Sequence, residues 1–291
     1  MTAALVAPLA VAMILAVLVT AVHRRLPPVI AARAVTTTVA VVAAAGVPTM
    51  WILSLGYVAH VPLLGGRLDW CAEAFGVHDP IPAWLGVPAL MISIAGILRV
   101  RTVLRSYRRL RQNEPGAVEF AEHALPFAFT LPGRGGQVVV STGLVDILDE
   151  HEQQVVLAHE RAHAVHRHDR YLLVTQVAAA LMPPLRTLAS RLQFSLERWA
   201  DEAAVDHCGD RRFVARTLGK VALSSVSPAS AALSFAGLGV PARVAALLSP
   251  PRPPMLPRYS GTLWSAIALT GVLAAFQIHH LALLLTALCP T

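Results

Sequence analysis

Two histidines four residues apart, with a glutamate directly after the first, form His159-Glu160-Arg161-Ala162-His163. They stand in a stretch, Asp149 to Arg167, that holds neither glycine nor proline. On a helix, residues four apart share a face, so both imidazoles can bind one Zn2+ at about 2.0–2.1 Å. Glu160 is then placed as general base toward an attacking water. Downstream, Glu197-Arg198-Trp199-Ala200-Asp201 sets two carboxylates four residues apart. Glu197 can complete a His2Glu ligand set that leaves a fourth position open, and Asp201 can accept a hydrogen bond from a ligand imidazole and fix its tautomer. The chemistry of such a set is metal-assisted hydrolysis with one zinc ion per chain; the bland alternative is a polar helix face.

Several elements must position these groups. Asp149 followed by Glu152 has the form of a capping box and predicts a helix start just ahead of the motif. Gln137 to Ser141 is a short β-branched run bounded by Gly135-Gly136 and Gly143, and it predicts a strand. His166 and His168 are expected to be solvated or to support a ligand, and Asp169 to end the helix or bond locally. Cys208 is expected to be a buried thiol. His207 and Arg212 are candidates for stabilising an oxyanion that sequence cannot place.

Composition sets the surroundings. The 291 residues are 55% hydrophobic and 14% charged, against about 25% charged in soluble domains. Three cysteines, none in CxxC spacing, exclude a disulfide scaffold and a thiolate zinc finger. The formal charge of +7 is concentrated: Arg99, Arg101, Arg105, Arg108, Arg109 and Arg111 follow an apolar run with no acidic residue among them. That is a positive-inside signal or an anionic-lipid contact, and without a recognition motif no nucleic-acid partner is expected.

Uncharged runs at Thr2–Val22, Ala34–His60, Pro80–Leu98 and Thr262–Leu288 are each long enough to cross a ~30 Å hydrocarbon layer. Only positive charge flanks the first and third runs on their C-terminal sides, whereas Arg67 is outnumbered by Asp69, Glu73 and Asp79 in the loop between the second and third. The expected topology therefore has an external N-terminus, an external second loop and a cytoplasmic region after Leu98. Three transmembrane helices would occupy 1–99, a cytoplasmic domain 100–258, and a fourth helix with a short C-terminus 259–291. On this topology a Cys71–Cys289 disulfide is one reading and two free thiols the other. Tyr171–Leu185 is too short for a comfortable crossing and is expected to be a buried or partly inserted helix. Pro250–Pro257 reads as a stiff linker. Lys220 is the single lysine against 23 arginines, a bias of GC-rich coding DNA that points to a bacterial plasma membrane.

The segments Pro126-Phe127-Ala128-Phe129, Gln137 to Leu144, His159 to His163 with Asp169, and Glu197 to Asp201 together resemble the integral-membrane gluzincin proteases. The likeness is to the BlaR/MecR-type transducers first and to the HtpX and CAAX-protease branch second. It implies a mainly α fold with about four transmembrane helices and a zincin-like metalloprotease domain containing a small β-sheet. It also implies that His159, His163 and Glu197 bind zinc, that Glu160 is the catalytic base and that Asp201 orients a ligand. By the same resemblance Gln137–Ser141 is an edge strand that holds an extended substrate, an ordinary core strand being the alternative. The transducers carry an extracellular penicillin-binding sensor after their last span, so beta-lactam sensing is not expected of this polypeptide.

The expected activity is that of a membrane-embedded zinc endopeptidase acting on a cytoplasmic or membrane-associated protein, with the lipid bilayer and a separate sensor or repressor protein as partners. Two rivals stand beside it: an HtpX-type quality-control protease, and a non-enzymatic signalling scaffold with a structural zinc.

Overall fold

The structure is a computed structural model that describes residues 2–59, 61, 81–111, 118–133, 136–224, 239–250 and 257–288. Cys71, Cys289 and residues 251–256 of the proline-rich segment lie outside the described residues.

The described chain is mainly helical with one small sheet. Helices α1 (Thr2–Val22), α2 (Pro28–Ala59) and α3 (Ala83–Leu110) come first, followed by strands β1 (Val118–Ala121), β2 (Ala128–Leu131) and β3 (Gln137–Ser141). Helices α4 (Thr142–Ile147), α5 (Glu150–Val165), α6 (His168–Leu181), α7 (Arg186–Cys208), α8 (Arg211–Ser224), α9 (Val240–Leu248) and α10 (Pro257–Leu288) complete the order. Among the described residues two helices, Pro28–Val58 and Ala83–Leu110, are long and apolar enough to cross a membrane. α3 does not stop at the end of its apolar run: it continues unbroken from Leu98 through the arginine cluster to Leu110.

The α5 start forms as its sequence predicts. Asp149 Oδ1 accepts from the Glu152 N–H at 2.8 Å, and Glu152 Oε2 accepts from the Asp149 N–H at 3.0 Å. This reciprocal pair satisfies two amides that a helix terminus would leave open. Tyr171–Leu185 is α6 plus one 3-10 turn, Pro183–Leu185, where two prolines without N–H groups end the helix. α6 packs against α2, α3 and α7. Its approach to α3 is close because Gly96 leaves room: a Cβ there would stand 3.3 Å from the Leu181 Cα.

Burial divides into three clusters. Valine, alanine and leucine from α1 and α2 pack with α6, α7 and α10, around Val35, Val39, Leu185 and Leu192. A second cluster joins α5, α7, α8 and α9 through Val155, Ala204, Val214 and Leu247. The third lies under the sheet, where Val138 and Val140 meet Leu144 and Leu148.

The sheet corrects one expectation. Gln137–Ser141 is a strand, but the strand order is β1-β3-β2, with β3 parallel to β1 and antiparallel to β2. Val139 is paired on both sides, with Glu119 and with Phe129. β3 is therefore the central strand; its amides and carbonyls are already engaged, and it has no free edge for a substrate. The edge beside α5 is β2.

Ser141 fastens the junction from β3 to α4. Its buried hydroxyl oxygen accepts from the Phe127 N–H at 2.9 Å and from the Leu144 N–H at 3.1 Å. Ser141→Ala would strand both amides, at a cost of about 1–3 kcal/mol. A chemical-denaturation midpoint lowered to that extent is the expected outcome.

Candidate metal centre

α5 and α7 pack against each other and supply the whole donor set. His159 and His163 lie one turn apart on α5, and Glu197 comes from α7. Each offers one ligand atom, and the three atoms lie within 4.8 Å of one another. His159 Nε2 and His163 Nε2 are 3.3 Å apart; Glu197 Oε2 is 3.5 Å from the first and Oε1 is 3.8 Å from the second. Two donors ~2.0–2.1 Å from a tetrahedral centre stand about 3.3–3.4 Å apart, so the set fits a zinc ion.

The formal charges fit a divalent cation as well. Glu160, Glu197 and Asp201 bring three formal negative charges and Arg243 one positive, which leaves two for a divalent ion to neutralise. Arg243, on α9, is buried; its Nη1 lies 2.8 Å from Glu197 Oε2, while Nε and Nη2 donate to the two oxygens of Asp201 at 2.8 and 2.6 Å. Burial by itself would raise both carboxyls. The contacts to Arg243 and His159 outweigh it and hold Glu197 and Asp201 below the usual carboxylate range.

Asp201 Oδ1 stands 3.2 Å from His159 Nδ1, which leaves His159 Nε2 facing the donor set. Burial opposes a charged His159, but hydrogen bonds to Asp201 and Glu197 prevail and raise it to about 10. A metal must displace that proton. His163 is lowered by burial and by the neighbouring His159, which favours the neutral imidazole with one ring nitrogen free to bind a metal.

Glu160 sits beside the ligands, nearly buried, with its Oε2 accepting from the Thr130 hydroxyl at 2.8 Å. The same hydroxyl lies 2.8 Å from the Glu160 carbonyl oxygen. Thr130 belongs to β2, so the edge strand is fastened directly to the motif helix. A cleft of about 620 Å3 opens over His159, Glu160, His163 and Glu197 and runs along β2 to the C-terminal part of α3 and to α6. In its wall the Tyr107 hydroxyl donates to Asp169 Oδ2 at 2.6 Å. Asp169 thus opens α6 and bonds to a distant helix, not locally as expected.

The remaining candidates are elsewhere. His166 stacks on Trp199 with ring centroids 4.6 Å apart and is no ligand in this arrangement. Cys208 is a half-buried free thiol. His207 and Arg212 are exposed and do not line the cleft. Sequence reasoning missed Arg243, Thr130 and Tyr107. The available signal for Arg243 was a single arginine inside the otherwise apolar Val240–Leu248.

Residues 99–189 match the model of Peptidase family M48. A 124-residue segment, 40% of this chain, is 32% identical to the Protease HtpX homolog of the archaeon Methanothermobacter thermautotrophicus, over 47% of that protein. The match thus spans about half the length of that relative. Both uphold the likeness to membrane-type gluzincin metallopeptidases, and neither bears on the BlaR/MecR-type detail. The M48 match ends before Glu197, Asp201 and Arg243, whose place beside the motif rests on the geometry above.

Removing Arg243 leaves the buried Asp201 and the half-buried Glu197 without their cation, and breaking a buried ion pair from one side costs about 3–5 kcal/mol. Arg243→Met is therefore expected to lower thermal stability sharply in detergent, with added Zn2+ recovering part of the loss. A melting temperature equal to wild type would contradict this account of the site.

Proposed function

We propose that the chain is a zinc-dependent endopeptidase that cleaves cytoplasmic or membrane-associated protein at the membrane surface. The observation that carries the reading is the cleft that holds His159, His163 and Glu197 together with Glu160 and the edge of β2. In this reading the two histidines and Glu197 hold one Zn2+, and Asp201 orients His159.

Bound zinc would supply Lewis acidity, polarising the scissile carbonyl and making the attacking water more acidic. The chain's own groups do the remaining work. Glu160 takes a proton from the water and returns it to the leaving amine. Thr130 holds that carboxylate in place while β2, unpaired on its outer side among the described residues, offers main-chain groups to an extended substrate. The finer architecture proposed is the one expected from sequence: three spans before a zincin-like cytoplasmic domain, one after, in a bacterial plasma membrane. The arginines on the exposed part of α3 support that orientation.

The HtpX-type quality-control reading fits at least as well as a BlaR/MecR-like signalling role, because the curated relative bears the name of a protease of that type. The two differ in whether an inducing signal is needed before unfolded protein is cut.

The test is cleavage of an unfolded protein by the full chain in detergent with zinc. Wild type is expected to cut, and Glu160→Gln to bind zinc equally while losing about 100-fold or more in rate, the ordinary contribution of a general base. Equal rates in the two proteins, or a Glu160→Gln variant with full biological function, would overturn the enzyme reading.

A further inference from the structure

His163 and His168 are five residues apart, which on one continuous helix would set them about 140° apart around the axis. They are not on one helix. α5 closes at His166, Arg167 adopts left-handed backbone with φ 55° and ψ 47°, and α6 begins at His168. Arg167 is the one non-glycine residue with positive φ among the described residues, in a region that side chains other than Gly and Asn rarely occupy. The turn brings the two imidazoles nearly perpendicular, with centroids 4.7 Å apart and Nδ1 to Nδ1 only 2.9 Å.

Two ring nitrogens at that distance share one proton: one donates and the other accepts. His163 presents Nε2 to His159 and Glu197, so a His163 that binds metal does so through Nε2 and carries its proton on Nδ1. Among the described residues that proton has one acceptor at hand, His168 Nδ1. His168, 1% exposed, has a buried Nε2 with no hydrogen-bond partner among the described residues. The bond to His163 is thus the polar contact His168 makes, and packing fixes the ring: Trp199 lies 4.9 Å and Tyr171 6.3 Å from it between centroids.

We propose that His168 is a positioning residue that fixes His163 in the tautomer that binds metal through Nε2. It does for His163 what the Asp201 carboxylate is placed to do for His159. A neutral acceptor adds no charge to the three carboxylates already balanced by Arg243 and one divalent ion. The inference rests on the zinc-site reading above.

The test measures Zn2+ affinity of the full-length protein in detergent by competition with a chromophoric chelator, with no dependence on activity. His168→Phe keeps a buried aromatic ring and removes the acceptor; His168→Asn places an amide oxygen where Nδ1 stood. Outer partners of metal-bound histidine typically carry 10- to 100-fold in affinity. The phenylalanine variant is expected to lose that much, and the asparagine variant to remain within about threefold of wild type. Wild-type affinity in the phenylalanine variant, or equal losses in both, would overturn the assignment while leaving the zinc site intact. A wild type that binds no zinc would overturn the site reading and this inference with it.

Discussion

The site depends on one buried guanidinium. Glu197 and Asp201 lie one turn apart on α7, the first half-buried and the second buried, and two carboxylates so placed would not both stay ionised alone. Arg243 reaches them from α9 with three nitrogens, one toward Glu197 and two on Asp201. Ionised, Glu197 is available as a ligand and Asp201 can accept from His159. The cluster of Val155, Ala204, Val214 and Leu247 packs α9 against α5, α7 and α8 and so holds the guanidinium where the carboxylates need it.

A second constraint ties the site to an apolar helix long enough to cross a membrane. α3 runs from a membrane-length apolar segment through its arginines to Leu110 without a break, and its last turns line the cleft. Tyr107 on α3 bonds Asp169 at the start of α6, so the cleft wall is anchored to the same helix. The boundary expected at residue 100 falls inside this helix, so the apolar segment and the cleft share one element. A substrate that enters along β2 would therefore meet the site close to the end of the apolar run.

Much of this was legible in the sequence because the signals were local. The HExxH spacing, the Asp149 cap, the β-branched run of β3 and the two carboxylates at 197 and 201 each depend on a few neighbouring residues. What failed was non-local. β-branched content identifies β3 as a strand but not its neighbours, and the partners that make it central are short, four-residue strands. Arg243 is 42 residues beyond Asp201 and reads there as one cation in an apolar helix. The place of His168 depends on a left-handed Arg167, a backbone state that no residue type in that turn announces.

The proposed site is one mononuclear His2Glu zinc centre built by α5 and α7 together. X-ray absorption at the zinc edge of the full-length protein loaded with a single equivalent tests this. Two imidazole nitrogens at about 2.0–2.1 Å are expected, with oxygen completing the shell, no sulfur, and one imidazole lost in His163→Ala. A sulfur neighbour at about 2.3 Å, or a spectrum unchanged in His163→Ala, would place the metal elsewhere and contradict it.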